Sequence, residues 1–140
     1  MKIHTIGFSG KTQNQFMELL IGADVSCVID IRLWRAARFV PWASGTNLES
    51  ALGNKYKYMP ELSPTKELLN AYKNGEIDWA GYEQVFNNLM GERQIEKLLA
   101  NQNLQDVCFL CSEKSPDKCH RRLVAEYLQK HFPDIQIIHL

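Results

Sequence analysis

The sequence predicts an α/β protein, a single-domain three-layer sandwich with a mostly parallel sheet of about five strands and helices on both faces. β-rich runs alternate with segments of helical periodicity, which is the pattern of strand-helix-strand units. Two runs, residues 25–31 and 107–111, are almost continuously apolar, as strands covered on both faces are. The length of 140 residues fits one domain, and no repeat or low-complexity stretch interrupts it.

The first half of the chain contains three of the predicted strands, at residues 2–6, 25–31 and 56–59. Thr12 with Gln15 resembles a capping box, so a helix is expected to follow, and Gly22 marks its end. The second strand is expected inside the sheet and the third at an edge. Between these strands, residues 32–47 form a loop rich in arginine and tryptophan, followed by a short helix near residues 48–52.

Two helices are predicted after the third strand. Ser63 before Pro64 indicates a capped start, and Gly75 stops this helix. Asp78 caps the next helix, whose apolar stripe is expected to break at Gly91. The last two strands follow, at residues 107–111 and 135–140.

Charge and composition restrict the partners. Sixteen basic side chains balance sixteen acidic ones, so net charge indicates neither a nucleic-acid nor a membrane partner. No apolar run reaches the ~20 residues that a bilayer requires. Four cysteines without a secretory pattern favour a reducing compartment, so a cytoplasmic location is expected. Arg32, Arg35 and Arg38 lie in one loop and predict a local anion site.

Three strand ends carry polar side chains. Ser9 follows the first strand, Asp30 and Arg32 end the second, and Cys111 and Glu113 end the fourth. Ligands of open α/β sheets bind at the carboxyl ends of the strands, so these side chains are expected to converge on one rim. Asp30 with Arg32 is either a buried structural ion pair or a pair that positions a substrate.

The segment after the fourth strand is the most informative. Ser115 followed by Pro116 predicts the start of the last helix, with Cys119 and His120 in its opening turn and a half. A helix N-terminus carries partial positive charge and free N–H groups, which lower a thiol pKa and favour a bound anion. Cys119 is therefore predicted as a reactive thiolate, and His120 as a general acid or base. Arg121 adds a fixed fork for carboxylate or phosphate oxygens.

Other interpretations of these cysteines stay open. Cys27 and Cys108 are expected to be small core residues, and Cys111 suits the core as well as a site. Residues three apart on a strand face opposite sides, so Cys108 and Cys111 cannot hold one ion together. A zinc site is conceivable from a different set, namely Cys111, Glu113, Cys119 and His120.

Five motifs stand out along the chain: Thr5-Ile6-Gly7, Asp30-Ile31-Arg32, Pro60-Glu61-Leu62-Ser63-Pro64-Thr65-Lys66, Leu110-Cys111-Ser112-Glu113 and Cys119-His120-Arg121. Together they resemble the DUF488 family of uncharacterised bacterial and archaeal proteins. The resemblance covers residues 1–140 as one DUF488-like α/β domain and implies that the motifs cluster. Many relatives carry histidine where this chain has Phe8, so a proton-transfer role at that position does not apply here.

The leading hypothesis is an enzyme that binds an anionic, phosphate-bearing substrate, nucleotide-like or part of a nucleic acid, at the Cys119 helix terminus. The predicted catalytic residues are Cys111, Glu113, Cys119 and His120. The predicted substrate-binding residues are Ser9, Asp30, Arg32, Arg35, Arg38 and Arg121. No metal and no cofactor is assigned, no membrane partner is expected, and the sequence carries no sign of an oligomeric state.

Two alternatives compete with an enzyme. The first is a module without turnover that binds a nucleotide or a short single strand through aromatic and basic residues of one loop, namely Arg32, Trp34, Arg35, Arg38 and Trp42. The second is a regulatory domain whose cysteines bind a metal or sense oxidation.

Overall fold

The computed structural model describes residues 1–140, and its strands are β1 (Lys2–Gly7), β2 (Cys27–Asp30), β3 (Tyr56–Tyr58), β4 (Val107–Cys111) and β5 (Gln136–His139). They form one parallel sheet of five strands in the order β3-β2-β4-β1-β5. Strands β2 and β4, whose apolar runs predict burial on both faces, lie in the interior of the sheet, and β3 lies at an edge. The predicted α/β fold class is confirmed.

Six α-helices cover the two faces of the sheet: α1 (Gln13–Gly22), α2 (Gly45–Leu52), α3 (Lys66–Lys73), α4 (Trp79–Arg93), α5 (Ile95–Leu99) and α6 (His120–His131). Helices α1 and α2 pack on one face through a core cluster that includes Phe16 and Leu48. Helices α3 to α6 pack on the other through a cluster that includes Phe86 and Leu123. None of these helices combines the length and the apolar character needed to span a membrane.

The side chains of β4 point alternately to the two faces of the sheet, and this places Cys108 and Cys111 on opposite faces. Cys108 and Leu110 belong to the α1–α2 cluster, whereas Val107 and Phe109 belong to the opposite one. Cys111 continues the second set, so its side chain is directed to the face that carries α6. The sequence prediction that Cys108 and Cys111 face different sides therefore holds.

Local hydrogen bonds explain which helix starts were predictable. Thr12 forms the expected capping box with Gln15, and Asp78 accepts from the Gly81 N–H at the start of α4. Helix α3 begins after Thr65 rather than at the predicted Ser63. The Ser63 hydroxyl instead donates to the carbonyl of Pro60, in the preceding turn, at 2.6 Å.

Two further boundaries differ from the prediction. Helix α4 passes through Gly91 and ends at Arg93, and the cap residue Gln94 adopts a left-handed φ of 52°. Helix α6 begins at His120 with Cys119 at its N-cap, so the predicted start at Ser115 is wrong. The Ser115 hydroxyl accepts from the Asp117 N–H within a turn, so this serine caps no helix.

The chain leaves β2 and β4 toward opposite faces. After β2 it continues to α2, and after β4 to α6, which lies on the other side of the sheet. Neighbouring parallel strands whose connections diverge leave a crevice at their carboxyl ends, and this is where open α/β sheets bind ligands.

Candidate active site

A cavity of about 320 Å³ lies at the carboxyl ends of β2 and β4. Its volume is in the range of small-molecule sites, roughly 300–1,000 Å³. One part of its wall carries polar and sulfur groups, from Arg32, Cys111, Cys119 and His120. Another part is aromatic, from Trp34, Tyr72, Trp79 and Tyr82. Segments far apart in the chain thus meet at one rim, as the strand-end motifs led us to expect.

Cys111 and His120 form a hydrogen-bonded pair in this wall. The Nε2 atom of His120 lies 2.7 Å from the carbonyl oxygen of Ile31, which can only accept, so Nε2 carries the proton. The Nδ1 atom of the neutral ring is then an acceptor, and it lies 3.5 Å from the Cys111 sulfur. A thiol beside the free nitrogen of an oriented imidazole is the arrangement that activates a cysteine nucleophile.

Cys119 completes what we call the thiol-imidazole trio, whose three ligand atoms lie within 4.8 Å of one another. The hydrogen bond from the Cys119 thiol lowers the pKa of the Cys111 thiol, and the backbone N–H groups of Ser112 and Glu113 with the charge of Arg121 act in the same direction, against desolvation. The same thiol-thiol hydrogen bond, followed by burial, raises the pKa of Cys119. The structure therefore favours Cys111 as the thiolate, where the sequence pattern favoured Cys119.

The trio also offers a metal its usual ligands. Two thiolates and an imidazole suit Zn²⁺ with a fourth position left for water or substrate. The Nε2 bond of His120 to a carbonyl is also the outer contact that ligating histidines make. Glu113, which the sequence added to this set, is exposed and lies outside the cluster.

Arg32 is held in the cavity wall by Asp30. Its Nε and Nη2 atoms lie 2.9 and 2.8 Å from the two carboxylate oxygens, and both residues are buried. The Tyr56 hydroxyl donates to the same carboxylate, and burial together with this bond raises the pKa of Tyr56 to about 12. The remaining guanidinium nitrogen, Nη1, is buried and has no acceptor. The aromatic ring of Phe8 lies 5.3 Å from the guanidinium carbon.

Arg121 is fully buried and does not line the cavity. Its guanidinium donates to the Thr5 hydroxyl at 3.3 Å, to the carbonyl of Glu113, and to the carbonyl of Lys114 at 3.3 Å. The backbone N–H of Ser9 donates to the same loop, at 3.1 Å. Arg121 and Ser9 thus fasten the loop after β4 to β1, and neither lines the cavity, although Arg121 Nη1 lies 3.7 Å from the Cys119 sulfur.

Three of the loop residues predicted to bind a ligand, Arg35, Arg38 and Trp42, do not line the cavity. Arg35 lies 4.5 Å from the ring of Tyr58, and Arg38 is exposed on the surface. Trp42 packs at 5.2 Å on Phe16, on the α1–α2 face. Because Trp42 packs against that core, the structure brings only Arg32 and Trp34 of these basic and aromatic residues to the cavity.

Several cavity residues had no functional signal in the sequence. Trp79 and Tyr82 lie in the first turns of α4 and their rings stack at 4.9 Å, yet both also line the cavity. Tyr72 and Lys73 end α3, and Lys118 precedes α6. The i, i+3 spacing of Trp79 and Tyr82 indicated a shared helix face but not that this face borders a site.

Comparison with known proteins gives one result. A family profile described as "Domain of unknown function DUF488" matches residues 12–128. No curated protein and no solved structure matches the chain. The matched segment contains the Asp30–Arg32 pair and the whole trio.

Proposed function

This chain belongs to the DUF488 family, whose function is unknown, and we propose a function from the site itself. We propose that the protein is an enzyme in which Cys111 is the nucleophile and the substrate is small, anionic and phosphate-bearing. The observation that carries the proposal is the contact of Cys111 with Nδ1 of His120, the ring nitrogen that is not bonded to the Ile31 carbonyl. The site needs no movement to transfer a proton from sulfur to nitrogen.

The chemistry follows from the hydrogen bonds around the trio. His120 Nδ1 takes the thiol proton of Cys111, and the Ile31 carbonyl stabilises the imidazolium because it already accepts from Nε2. The thiolate forms a bond to the electrophilic centre of the substrate. The leaving group departs with the electron pair of its bond and takes the proton from His120 Nδ1. In the second step a water molecule gives a proton to His120 Nδ1 while its oxygen forms a bond to the same electrophilic centre. The bond to the Cys111 sulfur breaks, and the departing thiolate takes the proton back from His120.

The charge of the cavity favours an anion. Three cationic side chains line it, those of Arg32, Lys73 and Lys118, against one carboxylate, that of Glu113. Arg32 is fixed by two hydrogen bonds to Asp30, so its position does not depend on the ligand. Fixed positive charge in a partly enclosed site raises the local concentration of negatively charged substrates.

Alkylation with iodoacetamide across a pH series tests the nucleophile. Cys111 is expected to react at lower pH than Cys27 in the same sample, because its pKa is lowered while burial raises that of Cys27. Peptide mass spectrometry reports the two thiols separately. In Cys119→Ala, the Cys111 profile should shift to higher pH, since the thiolate loses its strongest hydrogen-bond donor.

The matched control is Cys108→Ala, which removes a thiol from the opposite face of the sheet and should leave the Cys111 profile unchanged. If Cys111 reacts no earlier than Cys27, the nucleophile is refuted and the cavity is a binding site without covalent chemistry.

A further inference from the structure

The aromatic part of the cavity wall is assembled from three separate segments. Trp79 and Tyr82 of α4 stack at 4.9 Å with an angle of 16° between their planes. Tyr72 of α3 meets Trp79 edge-on at 5.6 Å. Trp34 comes from the loop after β2, and its side chain is 49% exposed. A half-exposed tryptophan adds little to the core, so its place in this wall points to a ligand.

The same wall contains polar groups that the protein leaves without partners. Arg32 Nη1 and Trp79 Nε1 are both buried without an acceptor, and both residues line the cavity. The ammonium group of Lys73 lies 5.5 Å from the ring of Trp34, so a positive charge borders the exposed ring. A buried donor without an acceptor destabilises the protein, and a small rotation of either side chain toward the cavity would let an acceptor atom of a ligand satisfy it.

We infer that the cavity binds a nucleoside monophosphate, with its base against the rings of Trp34 and Trp79 and its phosphate toward Arg32 and Lys73. Inorganic phosphate or a sugar phosphate would leave the aromatic wall without a role. An uncharged aromatic ring would leave the cations without one. The volume of about 320 Å³ is sufficient for one such monomer. The inference rests on the proposed function for the reaction, but binding itself can be tested alone.

Base stacking sets the expected effect. Stacking of one base on aromatic side chains strengthens binding by about tenfold or more, and it depends little on which base is present. Each of the four ribonucleoside 5′-monophosphates should therefore bind at least about tenfold more tightly than ribose 5-phosphate. Isothermal titration calorimetry measures both. Trp34→Ala should remove most of this difference and leave the affinity for ribose 5-phosphate unchanged, whereas Lys73→Ala should weaken both ligands.

Trp42→Phe is the matched control, because this tryptophan packs on the opposite face of the sheet. It should change neither affinity. Equal binding of the monophosphates and ribose 5-phosphate, or an equal loss in Trp34→Ala and Trp42→Phe, would overturn the inference.

Protection of Cys111 from iodoacetamide separates this inference from the proposed function. Tight monophosphate binding with an unreactive Cys111 sustains the inference and refutes the nucleophile. A reactive Cys111 that no monophosphate protects refutes the inference alone.

Discussion

Replacing Gly7 by alanine tests the contact that fixes the loop after β4. A β-carbon at this position would lie 1.7 Å from the carbonyl oxygen of Glu113 and 2.6 Å from Nη1 of Arg121. Side-chain carbons essentially never approach another atom within 3.0 Å, so the loop must move by roughly 1.3 Å. That shift breaks the bond from Arg121 to the Glu113 carbonyl, about 1.5–3 kcal/mol for a charged donor.

Overpacking adds about 1–3 kcal/mol to this loss. The expected decrease in the free energy of unfolding is therefore about 2.5–6 kcal/mol, a large part of the roughly 5–15 kcal/mol typical of a domain. Urea unfolding followed by circular dichroism measures it as a lower midpoint with an unchanged slope. Alkylation of Cys111 at neutral pH should also slow, because the displaced loop carries the Ser112 and Glu113 N–H groups that lower the pKa of this thiol.

Gly22→Ala is the matched control. Gly22 ends α1, and no atom lies within 4 Å of the β-carbon that alanine would add. Alanine forms helix better than glycine, so stability should stay the same or rise by up to about 1 kcal/mol. Gly7→Ala within about 0.5 kcal/mol of the wild type, the usual range of neutral surface substitutions, would refute this account of the loop.

Two further predictions concern the ion pair and the trio. Asp30→Asn leaves the charge of Arg32 buried without its partner and should lower the free energy of unfolding by about 3–5 kcal/mol. Tyr56→Phe keeps the ion pair and removes only the hydrogen bonds of one hydroxyl, which donates to Asp30 and accepts from Arg35 at 3.4 Å, so it should lower the free energy of unfolding by about 1–2 kcal/mol. Equal losses in urea unfolding would contradict the importance of the pair. Protein purified without added metal should contain far less than one zinc per chain by elemental analysis, and EDTA should leave alkylation of Cys111 unchanged. One zinc per chain would instead make the trio a metal centre.

The parts of the fold that the sequence predicts are those set by local or one-dimensional patterns. Continuous apolar runs identify the interior strands because burial on both faces removes every polar position. The caps at Thr12 and Asp78 are predictable because each bond closes within three residues. The start of α6 is not, because the preceding loop is fastened by Arg121 from inside the helix and by contacts with β1. The insertion of β4 between β1 and β2 also depends on pairing that no local pattern encodes.

The candidate site likewise contains features that the sequence predicts and features that depend on tertiary packing. Convergence of the strand ends follows from parallel strands alone, so the meeting of Arg32, Cys111 and His120 was predictable. Which sulfur is the thiolate depends on the direction of one thiol-thiol hydrogen bond, which no spacing of residues encodes. The aromatic wall was not predictable, because α3 and α4 reach the cavity through helix packing over the ends of β2 and β4.

The family motifs therefore differ in what they do, although they meet at one place. Gly7 has no side chain, which leaves space for the Glu113 carbonyl and the guanidinium of Arg121. The motif of β1 thus allows the close packing of the motif at the start of α6. Arg121 in turn holds the loop whose N–H groups face the Cys111 sulfur, although Arg121 itself does not line the cavity. Substitutions at Gly7 and Arg121 should consequently change the reactivity of Cys111 together with stability. Substitutions at Trp34 should change ligand affinity alone. A residue that positions the site therefore differs measurably from one that contacts the ligand, because only the first also changes stability.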